Sequence, residues 1–319
     1  MNFYIKKIIT LIITLFFVSI ATFVLFEVIP GDPVTSILGT EAPEERKEAL
    51  REELGLDDPV IVRYARWIKG VLQGDLGKSY VYSENMNEMM KVSKLIGDKL
   101  PVTFSLALLS FIVIVIIAIP LGVLWAGSKS KILDGIMNVL SQVNMAIPSF
   151  FLGIIIIYVF GLVLKMFTPG KYVSYTEDFR GFIQYMIFPA FAVALPKISM
   201  VARFLRNSML EQMQSDYVRT AYSKGSSKAR VLYGHVLRNA FMPVITFLGM
   251  IIAETLAGSI VVEQVFSIPG IGRLLISSIL SRDFPTIEVL VLYIAFAVIV
   301  VYFLVDMLYK LIDPRVSAQ

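Results

Sequence analysis

The sequence predicts an all-α membrane protein that crosses the bilayer about six times, and three observations carry that prediction. Hydrophobic residues make up 56% of the 319-residue chain, the mean hydropathy is +0.74, and only 17% of residues are charged. That balance suits a membrane protein better than a soluble domain. Long runs without any charge recur along the chain, each near the roughly 20 residues a helix needs to cross the hydrocarbon. Basic residues gather in alternate connecting segments, as expected of loops held on one side.

The first run is Ile8–Phe26, preceded by Lys6 and Lys7. A signal peptide begins the same way. However, 19 uncharged residues exceed the roughly 7–15 of a signal core, and no clear A-x-A site follows. A retained helix within residues 1–30 is therefore expected. Residues 31–101 hold ten basic and thirteen acidic side chains, too polar for lipid. A short helix is predicted over Ala42–Leu54, with Glu48 and Glu52 on one face. A turn at Asp57–Pro59 and a helical patch through Trp67 follow it.

Residues 102–309 then read as a core of five further spans. Val102–Ser128 and Gly135–Leu164 contain no charge. Phe182–Ala202 carries Lys197 and is interrupted by Pro189 and Pro196. Ala240–Val262 contains Glu254. Val289–Val305 is flanked by Glu288 and Asp306. Between the last two, within residues 263–285, Phe266–Pro285 has a turn at Pro269-Gly270 and an apolar helix too short to span, bracketed by Arg273 and Arg282. A re-entrant or interfacial helix fits that length. Residues 310–319 form a tail.

Six spans place both termini on one side, and the short loops select the cytoplasm. Lys6–Lys7, Lys129–Lys131 and the 203–240 region then lie inside. That region carries Arg203, Arg206, Arg219, Lys224, Lys228, Arg230 and Arg238 against Glu211 and Asp216. The segment 31–101 lies outside, and its basic residues count little, because long segments translocate largely regardless of charge.

Several chemistries fall away. The chain has no cysteine and a single histidine, His235, so thiolate sites, disulfides and histidine clusters are excluded. The net charge of +4 fits basic inner loops, and no nucleic-acid partner is expected. LQGDLGKS ends like a phosphate loop in Gly77-Lys78-Ser79. The pattern's first glycine would stand at Leu72, however, and no apolar strand leads into it. No cofactor and no metal is expected on this chain. The prolines Pro120, Pro148, Pro189, Pro196 and Pro243 are, one by one, ordinary for membrane helices.

Two constellations remain. The first is the segment 206–240. Leu210, Met213, Tyr217 and Ala221 recur at helical spacing and form one apolar stripe, with Arg219 and Lys224 off it. Gly225 ends or turns that helix. Val231, Leu232 and Val236 begin a second stripe, and Asn239 and Pro243 mark the start of the fifth span. A helix, a turn and a helix with one side free suits a docking surface. A basic loop held by anionic lipid is the competing account. The second is Glu254, with Gly249, Ala253 and Ala257 four apart on one helix face. A carboxylate within a span should face protein or water, and small residues allow close helix contact. Glu254 is then either a pathway residue or a buried pair at a helix interface.

The ordered motifs carry a resemblance. Asp216-Tyr217, Arg219-Thr220-Ala221 and Lys224-Gly225, followed by His235, Arg238-Asn239-Ala240 and Pro243, match the D-Y-x-R-T-A-x-x-K-G and H-x-x-R-N-A-x-x-P form of the "EAA" loop. Pro30-Gly31-Asp32-Pro33, Leu54-Gly55-Leu56-Asp57, Gly74-Asp75-Leu76-Gly77-Lys78-Ser79, Pro148-Ser149-Phe150-Phe151-Leu152-Gly153, Arg282-Asp283-Phe284-Pro285 and Asp313-Pro314-Arg315 accompany it. Over nearly its full length the chain resembles the permease subunit of bacterial ABC importers for oligopeptides, dipeptides and nickel. The Glu and the final Pro of the general loop pattern are absent here.

The resemblance implies a type I ABC importer permease fold in a bacterial inner or plasma membrane. It implies a second homologous permease, usually making a heterodimer, two cytoplasmic ATPases that carry ATP and Mg, and an extracytoplasmic substrate-binding protein. The coupling surface toward the ATPase would then comprise Met213, Asp216, Tyr217, Arg219, Thr220, Ala221, Lys224, Gly225, Arg230, His235 and Arg238. Peptide is the expected cargo, with nickel or a metal chelate as the alternative. An ATPase-independent channel or proton-coupled carrier, and a scaffold with an inner docking loop, are the rivals from other classes.

Overall fold

The computed structural model describes residues 3–28, 32–53, 55–85 and 88–312. Pro30-Gly31, Leu54 and Asp313-Pro314-Arg315, with most of the 310–319 tail, lie outside the described residues. The chain divides into two units, 1–102 with 269–300, and 103–268 with 301–319.

In the first unit, α1 (Phe3–Val28) covers the first apolar run. Asp32 caps α2 (Pro33–Leu38), accepting from the Val34 amide at 3.3 Å and the Thr35 hydroxyl at 3.0 Å, and it pairs with Arg51 of α3 (Glu44–Glu53) at 2.9 Å. The amphipathic α4 (Val60–Gln73) ends where Gly74 turns left-handed, φ 81°. It packs on α1 through Phe23, Tyr64 and Trp67, and the Ser19 and Tyr64 hydroxyls bond at 2.8 Å.

A small antiparallel hairpin follows, β1 (Lys78–Asn85) and β2 (Glu88–Lys91), in register Lys78 to Lys91 and Ser83 to Met89. The sequence reading gave no strand here. Gly77-Lys78-Ser79 opens β1, and Ser79 is fully buried with its hydroxyl on Asp283 Oδ2 at 2.6 Å. Asp283, also fully buried, accepts in addition from the Tyr80 amide at 2.9 Å and the Thr286 hydroxyl at 2.7 Å. A carboxylate with three donors tolerates burial. The apolar centre of this unit joins Val92, Leu95 and Ile96, at the start of α5 (Val92–Gly127), to Ile271 and Leu274 of α11 (Ile271–Ser281) and Leu290 of α12 (Phe284–Ile312).

In the second unit, α5 and α8 (Phe179–Met213) are 36 and 35 residues long. At 1.5 Å per residue each exceeds a ~30 Å hydrocarbon layer. α8 continues unbroken through Pro189 and Pro196. α10 (Leu237–Val265) crosses it, and their buried centre includes Ile114, Ala118, Val201, Leu205, Val244 and Ile251. Close approach relies on small residues. A Cβ on Gly122 would stand 2.9 Å from the Ala202 carbonyl, and one on Gly153 3.1 Å from the Phe266 ring.

Among the described residues, five helices, in α1, α5, α8, residues 228–256 and α12, are long and apolar enough to cross a membrane. A sixth candidate corrects the reading of Gly135–Leu164 as one uninterrupted span. It consists of α6 (Lys131–Ala146) and α7 (Ser149–Ile156), the latter continued by a wider π-helical turn over Ile157–Val163, and the pair bends by 96°. The break falls at Ile147 and Pro148, both in extended conformation. A proline disfavours helix in the residue before it and supplies no amide to the preceding turn.

Candidate functional site

The 206–240 segment is built from three pieces, and two of them correct the sequence reading. The apolar stripe Leu210–Ala221 is not one helix. α8 ends at Met213, a turn passes Gln214 and Ser215, and α9 (Asp216–Ser223) starts afresh. Ser215 at the cap position with Asp216 in the first turn is helix-start chemistry. The second stripe is also not a separate helix. Ser227 begins it, with the Arg230 amide on its hydroxyl at 3.4 Å. A π-helical turn over Arg230–Val236 then carries it into α10 without a break at Asn239 or Pro243.

Between the two pieces, Gly225 adopts φ +78°. Its amide donates to the Tyr222 carbonyl at 2.9 Å, and the Ser226 amide donates to the Ala221 carbonyl at 3.1 Å. This pair of bonds is a Schellman cap, with glycine at the left-handed position. Among the described residues, nothing stands within 4 Å of where a Gly225 Cβ would be.

The segment has two distinct faces. Val218, Val231 and Val236 are buried in the centre of the second unit, with Met213, Tyr217, Ala221 and Leu232 half-buried against it. Tyr217 donates to Gln212 Oε1 at 2.9 Å. The opposite face presents Asp216, Arg219, Thr220, Lys224, Arg230, His235 and Arg238, all exposed. Arg219 and Asp216 stand 3.8 Å apart with both side chains in solvent, a pair that contributes little to stability. The apolar stripe is therefore occupied by the chain's own core, and the basic face is what remains for another molecule.

Three anchors beside this segment were not read from the sequence. Asp134, in the first turn of α6, accepts from Trp125 Nε1 at 2.8 Å and is ion-paired with Arg206 of α8. The Arg206 guanidinium lies 4.9 Å from the centroid of the Trp125 ring, a cation–π geometry. Lys228 donates to the Gly127 carbonyl at the end of α5, at 3.3 Å, where a cation complements the free carbonyls of a helix C-terminus. Ser208 bonds the Ala240 carbonyl at 3.0 Å, tying α8 to α10. The available signal was Asp134, a lone acid at the border of an uncharged run.

At the second constellation, Gly249 faces Val305 of α12 so closely that a Cβ would overlap it, and Ala253 is 1% exposed. The Ala257 side chain lies outside what the structure describes. Glu254 points out of the chain and is exposed, with the half-buried Lys197 of α8 within reach of its charge. A different carboxylate fills the buried position. Glu263, 0% exposed, accepts from the Thr103 hydroxyl at 2.7 Å. It lies one residue beyond the apolar run Ala240–Val262, where hydropathy gives no signal for a buried acid.

Helices packed through small residues, five or six of them long and apolar enough to span, define a polytopic membrane protein. Comparison with known proteins then gives the family. Residues 118–318 match the binding-protein-dependent transport system inner membrane component, and residues 1–107 match the N-terminal part of such membrane components. A putative peptide transport system permease protein of Brucella abortus is 39% identical over 312 residues, 98% of this chain and 97% of that one. The oligopeptide transport system permease protein AppB of Bacillus subtilis is 37% identical over 302 residues, 94% of each chain. The dipeptide transport system permease protein DppB of the same organism is 35% identical over 318 residues, 99% and 98% of the two chains. The chain belongs to the family of binding-protein-dependent transport system inner membrane components. It has the type I ABC importer permease fold and is the multi-pass membrane subunit of such a transporter.

Proposed function

We propose that this chain forms half of the translocation path of an ATP-driven peptide importer. It pairs with a second homologous permease, as a heterodimer, above two cytoplasmic ATPases that carry the ATP and Mg. An extracytoplasmic binding protein delivers the cargo. Both termini lie in the cytoplasm, consistent with the basic 203–240 region on that side. The relatives named for peptides, oligopeptides and dipeptides support the cargo class.

The observation that carries the coupling role is the two-sided build of α9. Its apolar face is spent on the permease itself, which leaves Arg219, Thr220, Lys224, Arg230 and Arg238 free to meet polar or acidic groups of an ATPase. ATP-driven closure of the ATPases would move α9 and the helices it rests on, switching the path between two global states.

The test is reconstitution. The chain, purified through an affinity tag, should bring down a second permease and two ATPases. Proteoliposomes of that complex with its binding protein should accumulate labelled peptide only with ATP. Flux without any ATPase would defeat the proposal, and uptake of nickel but not peptide would replace its cargo.

A further inference from the structure

Two cavities in the first unit lie end to end along one seam. The deeper one, about 570 Å³, is almost wholly apolar and is walled by Ile12 and Phe16 of α1, Ile68 and Leu72 of α4, and Leu292 and Phe296 of α12. The other, about 330 Å³, is walled by Phe23, Glu27, Arg63, Trp67, Tyr80 and Glu288, and Leu76 borders both. Positions 12, 16, 19, 23 and 27 share one face of α1, and 285, 288, 292 and 296 share one face of α12. The seam is thus continuous, apolar for most of its length and charged at one end. From Phe16 to Glu27 it runs ~16 Å along α1 at 1.5 Å per residue, about the depth of one leaflet of a ~30 Å hydrocarbon core.

The charged end offers both signs. Arg63 is ion-paired with Glu27, yet its Nε is buried without an acceptor among the described residues. Arg66, paired with Asp58, is still 56% exposed at its side chain. Tyr80 keeps its phenol proton, its pKa pushed up to about 12 by burial and then by the Glu288 and Asp283 carboxylates. Glu288 receives no hydrogen bond among the described residues. Donors for a phosphate and acceptors for an ammonium therefore stand together at the mouth of an apolar groove.

We propose that this seam binds one phospholipid with a zwitterionic, ammonium-bearing headgroup. Its acyl chain fills the groove. Its phosphate meets Arg63, Arg66 and Tyr80, and its ammonium meets Glu27 and Glu288 beside the Trp67 ring. An anionic headgroup would offer the Glu27 and Glu288 oxygens no N–H donor, and its charge would lie beside Glu27. A choline headgroup lacks N–H donors. An apolar helix of another protein would leave the charged end unsatisfied.

The test uses the assembled, delipidated transporter. Phosphatidylethanolamine, phosphatidylglycerol and phosphatidylcholine of matched acyl chains are titrated and read by native mass spectrometry, with a photoreactive acyl chain to locate the site. One phosphatidylethanolamine should bind about tenfold more tightly than either rival and crosslink to α1 or α12. Glu288→Gln should remove most of that preference. Leu72→Trp, at a residue 81% exposed in the chain and so tolerant of replacement, should weaken all three lipids. Equal binding of the three lipids, a preference unchanged by Glu288→Gln, or binding indifferent to Leu72→Trp would each overturn the proposal.

Discussion

Replacing Gly225 separates the turn after α9 from everything packed around it. The residue sits at φ +78° with open space where a side chain would project, so a substitution collides with nothing and its whole cost is backbone strain. For an L-residue the left-handed conformation costs about 1–2 kcal/mol. Asn pays least, and a β-branched residue pays most. At about 1.4 kcal/mol per factor of ten, the ratio of capped to uncapped turn falls about 5- to 30-fold. The bonds at stake are Gly225 N–H to Tyr222 and Ser226 N–H to Ala221. Val218, Val231 and Val236 stay buried, so membrane insertion should not change.

The assay is immunoblot abundance of the subunit, then substrate-stimulated ATP hydrolysis and peptide uptake in proteoliposomes. Both activities should fall together in the order Gly225→Asn, Gly225→Ala, Gly225→Val, with the last lowered most, by up to about 30-fold. Gly225→Val at normal abundance and full rate would refute the link between turn and coupling. Loss of abundance across all three would show that the turn belongs to the packed core instead.

Other residues give sharper readouts of single contacts. Gly249→Val overpacks α10 against Val305 and should cost about 1–3 kcal/mol, lowering the melting temperature in detergent; Val305→Ala in the same chain should restore most of it, and absence of rescue would contradict the contact. Asp283→Ala strands three donors, each worth about 1–3 kcal/mol when buried and unpaired, and should expose residues 78–91 to protease; unchanged resistance would argue against that cluster. Glu254→Gln should alter transport more than abundance, whereas lost abundance alone would assign Glu254 to assembly. A double-mutant cycle of Arg206→Met with Asp134→Asn should show about 1 kcal/mol of coupling, and none would mean the two side chains act separately.

The sequence made the spans legible because hydropathy is local. Each apolar run reports its own solubility in lipid: α8 and α12 contain the runs that announced them, and α5 contains all of its run but Ser128. It did not make the bend at Pro148 legible. Pro189 and Pro196 look alike in sequence and leave α8 continuous, so what separates them from Pro148 is packing rather than residue type. The hairpin was missed for another reason. KSYVYSEN has the period-two pattern of a strand, but its buried anchor is Asp283, some 200 positions away. The Asp134–Arg206 pair is 72 positions apart, and no single-sequence pattern joins charges at that distance. At 206–240 the stripes, the glycine and the basic face were all legible, because each depends on helical spacing over a few turns. The breaks between them were not, since helical spacing continues across the turn at Gln214 and Ser215 and does not encode the bond from the Arg230 amide to Ser227.

The shortness of α9 bears on how it works. Eight residues are too few for a stable isolated helix, because nucleation alone is unfavourable and about 12–15 residues are needed to offset it. Its order therefore comes from Val218 seated in the centre formed by α5, α8 and the start of α10, and from the cap at Gly225. A helix ordered in this way cannot move independently of the helices that order it. Displacing α9 must shift Tyr217 against Gln212 of α8 or unseat Val218, and repacking of α8 against α10 must carry α9 with it. Such linkage is reciprocal by thermodynamic necessity. Whatever seats on Arg219 and Lys224 reports the state of the membrane helices to the same degree that it changes that state.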